Sequence, residues 1–126
     1  MSRKVLVIED NENNRVLVQF LLERAGCEVL STDNGLLGLE MAATARPDII
    51  LMDIQMPEMD GYETAERLRR NSLTSGIPIV GISSYAMPDD RTKAFAHGFK
   101  GYLEKPINPE TFAEQILGFM GIEGGG

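Results

Sequence analysis

Five short apolar segments alternate with longer stretches of helical periodicity, and this alternation constrains the fold more than any other feature of the sequence. Most of the segments are continuously apolar and rich in β-branched residues, as is typical of parallel strands that are buried on both faces. The predicted strands cover residues 5–8, 28–31, 49–52, 79–82 and 102–103.

The stretches between these segments predict five helices. Gly26 is suited to end the first helix, Asp60 and Asn108 are suited to cap the third and the fifth, and Pro88 and Pro109 suit the first turns of the last two. The predicted helices cover about residues 13–25, 34–45, 60–71, 88–98 and 108–120. Apolar residues at helical spacing in the first are Val16, Leu17, Phe20 and Leu21, and in the fifth Phe112, Ile116 and Met120.

The resulting order is βαβαβαβαβα. Crossover connections between parallel strands are right-handed, so this order predicts an α/β fold, a doubly wound parallel sheet with helices on both faces. The 126 residues fit one domain of this kind.

Charge and composition exclude several classes of function. The formal net charge is −7 at pH 7, and such a chain lacks the broad cationic surface that binding to a phosphate backbone requires, so we expect no direct contact with nucleic acid. No apolar run reaches the length of a membrane span or of a signal peptide, and we expect a cytoplasmic protein without a membrane partner. The single Cys27 excludes an internal disulfide.

Acidic residues follow two of the predicted strands. Glu9 and Asp10 come directly after the first strand, and Asp53 comes directly after the third. Ligands of open parallel sheets bind beyond the carboxyl ends of the strands, and a strand order of 2-1-3-4-5 would bring these three carboxylates together. Such a cluster repels itself unless a proton or cation intervenes, and Mg²⁺ with its open positions for phosphate oxygens suits it.

The ends of the last two strands carry a hydroxyl and a cation instead. Ser83 follows the fourth strand, and Lys105 stands two residues after the fifth. Three acids beside a hydroxyl and an ammonium group suit a phosphoryl group next to a metal. Asp53 is then placed to attack phosphorus, while Lys105 and Ser83 stabilise the phosphoryl oxygens.

With these residues, the sequence resembles a receiver domain of the two-component response-regulator family. The likeness runs from Lys4 to about Met120 and rests on four segments: VLVIEDN at 5–11, DIQMPEMDG at 53–61, ISS at 82–84 and GYLEKP at 101–106. The resemblance implies a (βα)5 flavodoxin-like sheet of order 2-1-3-4-5 and a receiver domain over 1–122. The glycines near the end of the sequence predict a flexible tail over 123–126, and we expect no output domain.

The resemblance also implies roles for the acidic residues. Asp53 is expected to be the phosphoacceptor. The acidic pair Glu9 and Asp10 is expected to serve Mg²⁺, with Mn²⁺ as an alternative, together with Asp53 and the backbone carbonyl of Gln55.

Further residues carry roles implied by the same resemblance. Ser83 matches the switch hydroxyl, Lys105 the phosphate-binding lysine, and Tyr102 the aromatic residue whose rotamer reports phosphorylation. The bond between Lys105 and Pro106 matches one that is cis in the family. Gln55 and Tyr85 occupy positions that tune the lifetime of the phosphorylated form, and a bulky Tyr85 is expected to hinder the attacking water.

The function we expect is that of a single-domain response regulator, most similar to stand-alone receivers of bacterial cell-cycle phosphorelays. We expect the protein not to be an enzyme, although it assists its own phosphoryl transfer and dephosphorylation. The expected partners are a sensor histidine kinase or a histidine phosphotransfer protein, and a downstream protein target, with the chain itself a monomer or weak dimer. Alternatives are a receiver excised from a hybrid histidine kinase and an interaction module that works without phosphorylation.

Two other classes share parts of this pattern. A flavin-binding protein of the same fold needs a hydroxyl- or glycine-rich phosphate loop after the first strand, where this chain has Glu9 and Asp10. A phosphatase of the haloacid-dehalogenase type needs a second Asp where this chain has Gln55. Neither class fits as well as the receiver.

Overall fold

The strands and helices alternate along the chain in the computed structural model, which describes residues 3–56, 61–83 and 90–120. The strands are β1 (Lys4–Ile8), β2 (Glu28–Thr32), β3 (Ile49–Asp53), β4 (Ile79–Ser83) and β5 (Gly101–Glu104). The helices are α1 (Glu12–Arg24), α2 (Gly35–Ala45), α3 (Gly61–Arg70), α4 (Asp90–Ala96) and α5 (Phe112–Phe119). The predicted cap at Asp60, the predicted first-turn residue Pro88 and the tail over 123–126 lie outside the described residues.

The five strands form one parallel sheet in the order β2-β1-β3-β4-β5. In its register, Val5 of β1 pairs with Val29 of β2 on one side and with Ile49 of β3 on the other. The predicted α/β fold and strand order are therefore confirmed. This order makes β1 and β3 neighbours, so the residues that follow them meet at one edge of the sheet.

The core has two parts, one on each face of the sheet. Because strand side chains alternate between the faces, Leu6 and Ile8 of β1 contribute to one cluster, while Val5 and Val7 contribute to the other. The first cluster includes buried residues of α2, α3 and α4, and the second includes buried residues of α1 and α5. Within the described residues, no helix is long and apolar enough to cross a membrane.

Helix α1 buries a different face from the one that the spacing indicated. Val18 and Leu22 are its buried residues, whereas Val16 is 59% exposed and Phe20 is 56% exposed. The helix carries apolar residues on more than one face, so spacing alone allowed several orientations. Packing of α1 against β1 and β2 decided which face of the helix is buried.

Helix α5 begins later than predicted, at Phe112 and not at Pro109. Asn108 still accepts the Glu110 N–H on its side-chain oxygen, at 3.0 Å, and its carbonyl accepts the Phe112 N–H, also at 3.0 Å. These bonds close a turn before the regular helix, because an Asn side chain competes locally with helical hydrogen bonding. Phe112 and Ile116 are buried as expected.

Candidate functional site

Three carboxylates meet beyond the carboxyl ends of β1 and β3. Glu9 and Asp10 follow β1, and Asp53 is the last residue of β3. One oxygen from each carboxylate lies within 4.8 Å of the others. Glu9 and Asp53 are buried, while Asp10 is exposed. The structure thus brings the three predicted acidic residues together.

Glu9 is fixed through its backbone and its side chain. Its N–H donates to the carbonyl of Thr32 at 3.0 Å, and its Oε2 accepts the Asn11 N–H at 3.2 Å. Its Oε1 lies 2.7 Å from the Nζ of Lys105, and its carbonyl accepts a hydrogen bond from the Nη1 of Arg15 at 3.0 Å. Glu9 is therefore held by groups from β2, from α1 and its cap, and from the loop after β5.

Asp53 is oriented by the segment that follows it. Its Oδ1 accepts the Gln55 N–H at 2.9 Å, and its Oδ2 lies 3.5 Å from the Nζ of Lys105. The N–H of Ile54 donates to the carbonyl of Ile82, which ties this loop to β4. One oxygen of Asp53 is thus bound by backbone and the other faces the lysine.

Lys105 reaches the acidic residues from the end of β5. Its N–H donates to the carbonyl of Ser83 at 2.8 Å, which keeps the loop after β5 beside β4. Its side chain is 12% exposed, so the ammonium group is largely removed from water. The peptide bond from Lys105 to Pro106 is cis.

Burial and charge separate the acidities of the two buried carboxyls. Desolvation, followed by the neighbouring Asp53, raises the pKa of Glu9 to about 7, and the Lys105 ammonium opposes this rise without cancelling it. Burial also acts to raise the pKa of Asp53, but hydrogen bonds with Glu9 and from the Gln55 N–H hold it below its usual value. Asp53 is therefore the stronger acid of the two, and a proton shared between them favours Glu9.

The pKa values of Asp10 and Lys105 are both raised above their usual values. Partial burial and then the Asp53 carboxylate raise the pKa of Asp10. For Lys105, desolvation acts to lower the pKa, but the bond to Glu9 and the charges of Glu9 and Asp53 outweigh it and raise the pKa above its usual value. Lys105 therefore remains a cation, and the site retains an excess of acidic groups that a divalent cation would balance.

The remaining predicted site residues lie at the same edge of the sheet or beside it. Ser83 is the last residue of β4 and is buried, and Gln55 is exposed two residues after Asp53. Tyr102 of β5 is buried at 4% exposure, and its hydroxyl has no hydrogen-bond partner among the described residues. The guanidinium carbon of Arg91 lies 5.7 Å from the centre of the Tyr102 ring. Tyr85 lies outside the described residues.

Two contacts of the site were missed by reasoning from the sequence. Asn11 caps α1 by accepting the Asn14 N–H on its side chain, and Arg15 binds the Glu9 carbonyl. An Asn directly after the acidic pair was a signal for the cap. No sequence signal distinguished Arg15 from an ordinary surface arginine of a helix.

The donor chemistry of the site fits a hard divalent cation. The carboxylates of Glu9, Asp10 and Asp53 offer oxygen ligands and no sulfur or imidazole, which suits Mg²⁺ or Mn²⁺. Asp10 is exposed, so water and a phosphoryl group have access from that side. The residues present are compatible with the metal that the sequence predicted.

A parallel five-stranded sheet with acids at the carboxyl ends of β1 and β3 and a lysine after β5 is typical of a signalling domain of the receiver class. The family description "response regulator receiver domain" matches residues 5–117, and the chain belongs to this family. Such proteins act in two-component signalling and are not classical enzymes.

Known proteins of several bacteria are similar to the chain. The polar-differentiation response regulator DivK of Brucella anthropi is 38% identical over 121 residues, which cover 96% of this chain and 98% of DivK. Chemotaxis response regulator CheY4 of Vibrio cholerae superposes with a TM-score of 0.88 at 33% identity, covering 94% and 99% of the two chains. The receiver domain of sensor histidine kinase PA1611 of Pseudomonas aeruginosa, with magnesium in its active-site cleft, superposes with a TM-score of 0.86 at 26% identity, covering 96% and 99%.

Proposed function

We propose that this chain accepts a phosphoryl group on Asp53 from a phosphohistidine and signals through protein contacts that depend on this modification. The observation that carries the proposal is the grouping of three carboxylates within 4.8 Å, with the Lys105 ammonium 3.5 Å from Asp53. In a cluster of acids with a purely structural role, ion pairs would balance the negative charges. Here the acids outnumber the lysine, and the exposed Asp10 leaves the cluster open to solvent.

Asp53 is prepared for nucleophilic attack. The Gln55 N–H holds its Oδ1, and its lowered pKa keeps the carboxylate ionised. A carboxylate oxygen of Asp53 forms the new bond to phosphorus while the bond from phosphorus to the donor's imidazole nitrogen breaks. The imidazole leaves with that electron pair and takes a proton from solvent, so the product is an aspartyl phosphate.

Positive charge and hydrogen-bond donors then stabilise the phosphoryl oxygens. Lys105 is close enough to exchange part of its contact with Glu9 for one with the phosphoryl group, and the hydroxyl of Ser83 stands at the end of the neighbouring strand. Glu9, Asp10, Asp53 and the carbonyl of Gln55 would hold Mg²⁺. When bound, the metal supplies charge neutralisation between the acidic residues and the incoming phosphoryl oxygens.

The signal itself is a change at the face formed by α4, β5 and α5. Phosphorylation adds roughly 1.5 to 2 negative charges and new acceptor oxygens, which draw Ser83 and Lys105 toward Asp53. Tyr102 of β5 is buried in the same core cluster as Ala94 of α4, so its ring is placed to respond. A partner that binds only one form shifts the equilibrium by its differential affinity.

The proposed partners are a sensor histidine kinase or a histidine phosphotransfer protein as donor, and a protein target as receiver of the signal. The proposed role is similar to that of DivK of Brucella anthropi, 98% of whose length the chain matches. Tyr85 and Gln55 are proposed to set how long the aspartyl phosphate lasts.

Phosphoramidate, which carries a bond from phosphorus to nitrogen, tests the proposal directly. We expect the wild-type chain with Mg²⁺ to gain one phosphoryl group by intact mass, and the Asp53→Asn variant and the EDTA-treated wild type to gain none. Asp33→Asn is the matched control, because Asp33 is an exposed residue of the loop after β2. Labelling of Asp53→Asn, or labelling of the wild type in EDTA, would refute the proposal.

A further inference from the structure

Arg15 extends from α1 back to the loop that carries the acidic pair. Its Nη1 donates to the main-chain carbonyl of Glu9 at 3.0 Å, in a partly buried position. Its own N–H donates to the Asn11 carbonyl at 2.9 Å, so the helical backbone beneath the side chain is itself fixed. The guanidinium group therefore links α1 to the end of β1.

In the described part of the chain, the other contacts of Glu9 involve its N–H and its carboxylate and not its carbonyl. Thr32 binds its N–H, and Asn11 and Lys105 bind its two carboxylate oxygens. The carbonyl shares a rigid peptide plane with the N–H of Asp10. Holding that oxygen therefore sets the direction in which the chain leaves Glu9 and enters Asp10.

Asp10 depends on this constraint more than its neighbours do. Glu9 and Asp53 are 3% and 4% exposed and their carboxylates are held by backbone N–H groups and by Lys105, whereas Asp10 is exposed. The direction of the peptide before Asp10 is thus a main determinant of where its carboxylate points. A change in that direction would separate Asp10 from the other two carboxylates.

Arg15 binds a backbone carbonyl and not one of the carboxylates of the site. Arginine usually pairs with carboxylates in a bidentate arrangement, and such a pair at Asp10 would compete with a cation for the same oxygens. By binding a neutral carbonyl, Arg15 orders the loop and leaves the carboxylates available.

We infer that Arg15 is a positioning residue of the metal site, which orients Asp10 through the Glu9 carbonyl. This inference rests on the proposed function, because it assumes that the acidic cluster binds Mg²⁺. Loss of a group that orients a metal ligand by hydrogen bonding typically lowers metal affinity by about 10- to 100-fold. Because Arg15 acts through backbone, we expect the lower end, a loss of about tenfold.

The test compares three variants of the full chain. Mn²⁺ binding is followed by the electron paramagnetic resonance of the free ion, with Mg²⁺ as competitor. Arg15→Met removes the donor and should weaken both metals about tenfold. Arg15→Lys retains a cationic donor and should recover most of the affinity. Arg24→Met makes the same change of charge at the exposed last turn of the same helix and should leave the affinity unchanged.

A second measurement reports the contact itself. The carbonyl carbon resonance of Glu9 should shift in Arg15→Met, in metal-free protein, by more than in Arg24→Met. This reading needs no metal and no phosphoryl transfer. It also serves if Arg15→Met lowers the stability of the fold, since Arg15→Lys can be measured in the same way.

The outcomes distinguish a failure of the proposed metal site from a failure of the proposed role of Arg15. If the wild type binds neither metal, the proposed metal site is wrong. If the wild type binds metal and Arg15→Met binds it equally well, only the positioning role is wrong. Equal weakening in Arg15→Met and Arg24→Met, or no recovery in Arg15→Lys, would also overturn the role of Arg15, because either result would point to net charge or general destabilisation.

Discussion

Lys105 is bound more closely to Glu9 than to Asp53. Its Nζ lies 2.7 Å from Oε1 of Glu9 and 3.5 Å from Oδ2 of Asp53, and all three side chains are largely buried. In the absence of a phosphoryl group, Lys105 therefore makes its shorter contact with Glu9. Phosphoryl transfer to Asp53 would draw it away, so the contact between Lys105 and Glu9 is one that modification should weaken.

Removing Lys105 should raise the pKa of Glu9 above its value of about 7, because the ammonium group is the main influence that opposes desolvation there. We expect the carboxyl carbon resonance of Glu9 to titrate at higher pH in Lys105→Met than in the wild type. Lys100→Met, at an exposed residue before β5, should leave the midpoint where it is. A midpoint that stays constant or falls in Lys105→Met would contradict this account.

The raised pKa of Glu9 predicts that the metal-free protein loses stability as pH rises. The folded state binds this proton more tightly than the unfolded state, in which the pKa is near 4.5. The stabilisation is fully present below about pH 4.5 and is lost as pH rises through about 7. We expect the free energy of unfolding in urea and EDTA to fall by on the order of 2 kcal/mol from pH 5 to pH 8.

Glu9→Gln, which mimics the protonated acid, should remove most of this pH dependence. Glu12→Gln is the control, since Glu12 is an exposed acid in the first turn of α1. A pH dependence that survives in Glu9→Gln would assign the effect to other groups.

A methyl group at Gly61 should destabilise the fold. A Cβ there would lie 2.7 Å from the Cα of Ile54 and 3.2 Å from the carbonyl oxygen of Asp53, and backbone cannot move away as a side chain can. We expect Gly61→Ala to lower the free energy of unfolding by about 2 kcal/mol. Gly118→Ala, in open space on α5, should instead raise it by about 0.5 kcal/mol. Urea denaturation measures both, and equal effects would disprove the steric explanation.

Arg91 should hold Tyr102 in its buried position. Its guanidinium carbon is 5.7 Å from the centre of the Tyr102 ring, and Nζ of Lys93, on the same helix, is 4.5 Å from the centre of the Tyr62 ring. A cation over an aromatic face at such a site contributes about 0.5 to 1 kcal/mol, so Arg91→Ala should increase the exposed population of Tyr102 about two- to fivefold.

Fluorine NMR of 3-fluorotyrosine protein measures this change, because the chain has 3 tyrosines and the solvent isotope shift of each reports its exposure. Lys93→Ala is the matched control and should affect Tyr62 and not Tyr102. A Tyr102 resonance that responds equally to both variants, or to neither, would rule out a specific role for Arg91.

The acidic residues of the site could be predicted because they directly follow strands. Parallel strands end at the same edge of a sheet, so Glu9 and Asp53 had to meet once β1 and β3 were neighbours. Arg15 could not be predicted in the same way. Its contact depends on how a helical side chain folds back over a loop, and no spacing in the sequence encodes that direction.

The sequence by itself determined the order of strands and helices, the parallel sheet and the edge at which the chemistry lies. These follow from local periodicity, from caps and from the handedness of crossovers, which act over a few residues or are the same in all such folds. The tertiary structure alone decided which face of α1 is buried, that α5 begins at Phe112, and that Lys105 contacts Glu9 more closely than Asp53. Those features arise from competition between packing, desolvation and charge among residues far apart in the chain, which no local pattern specifies.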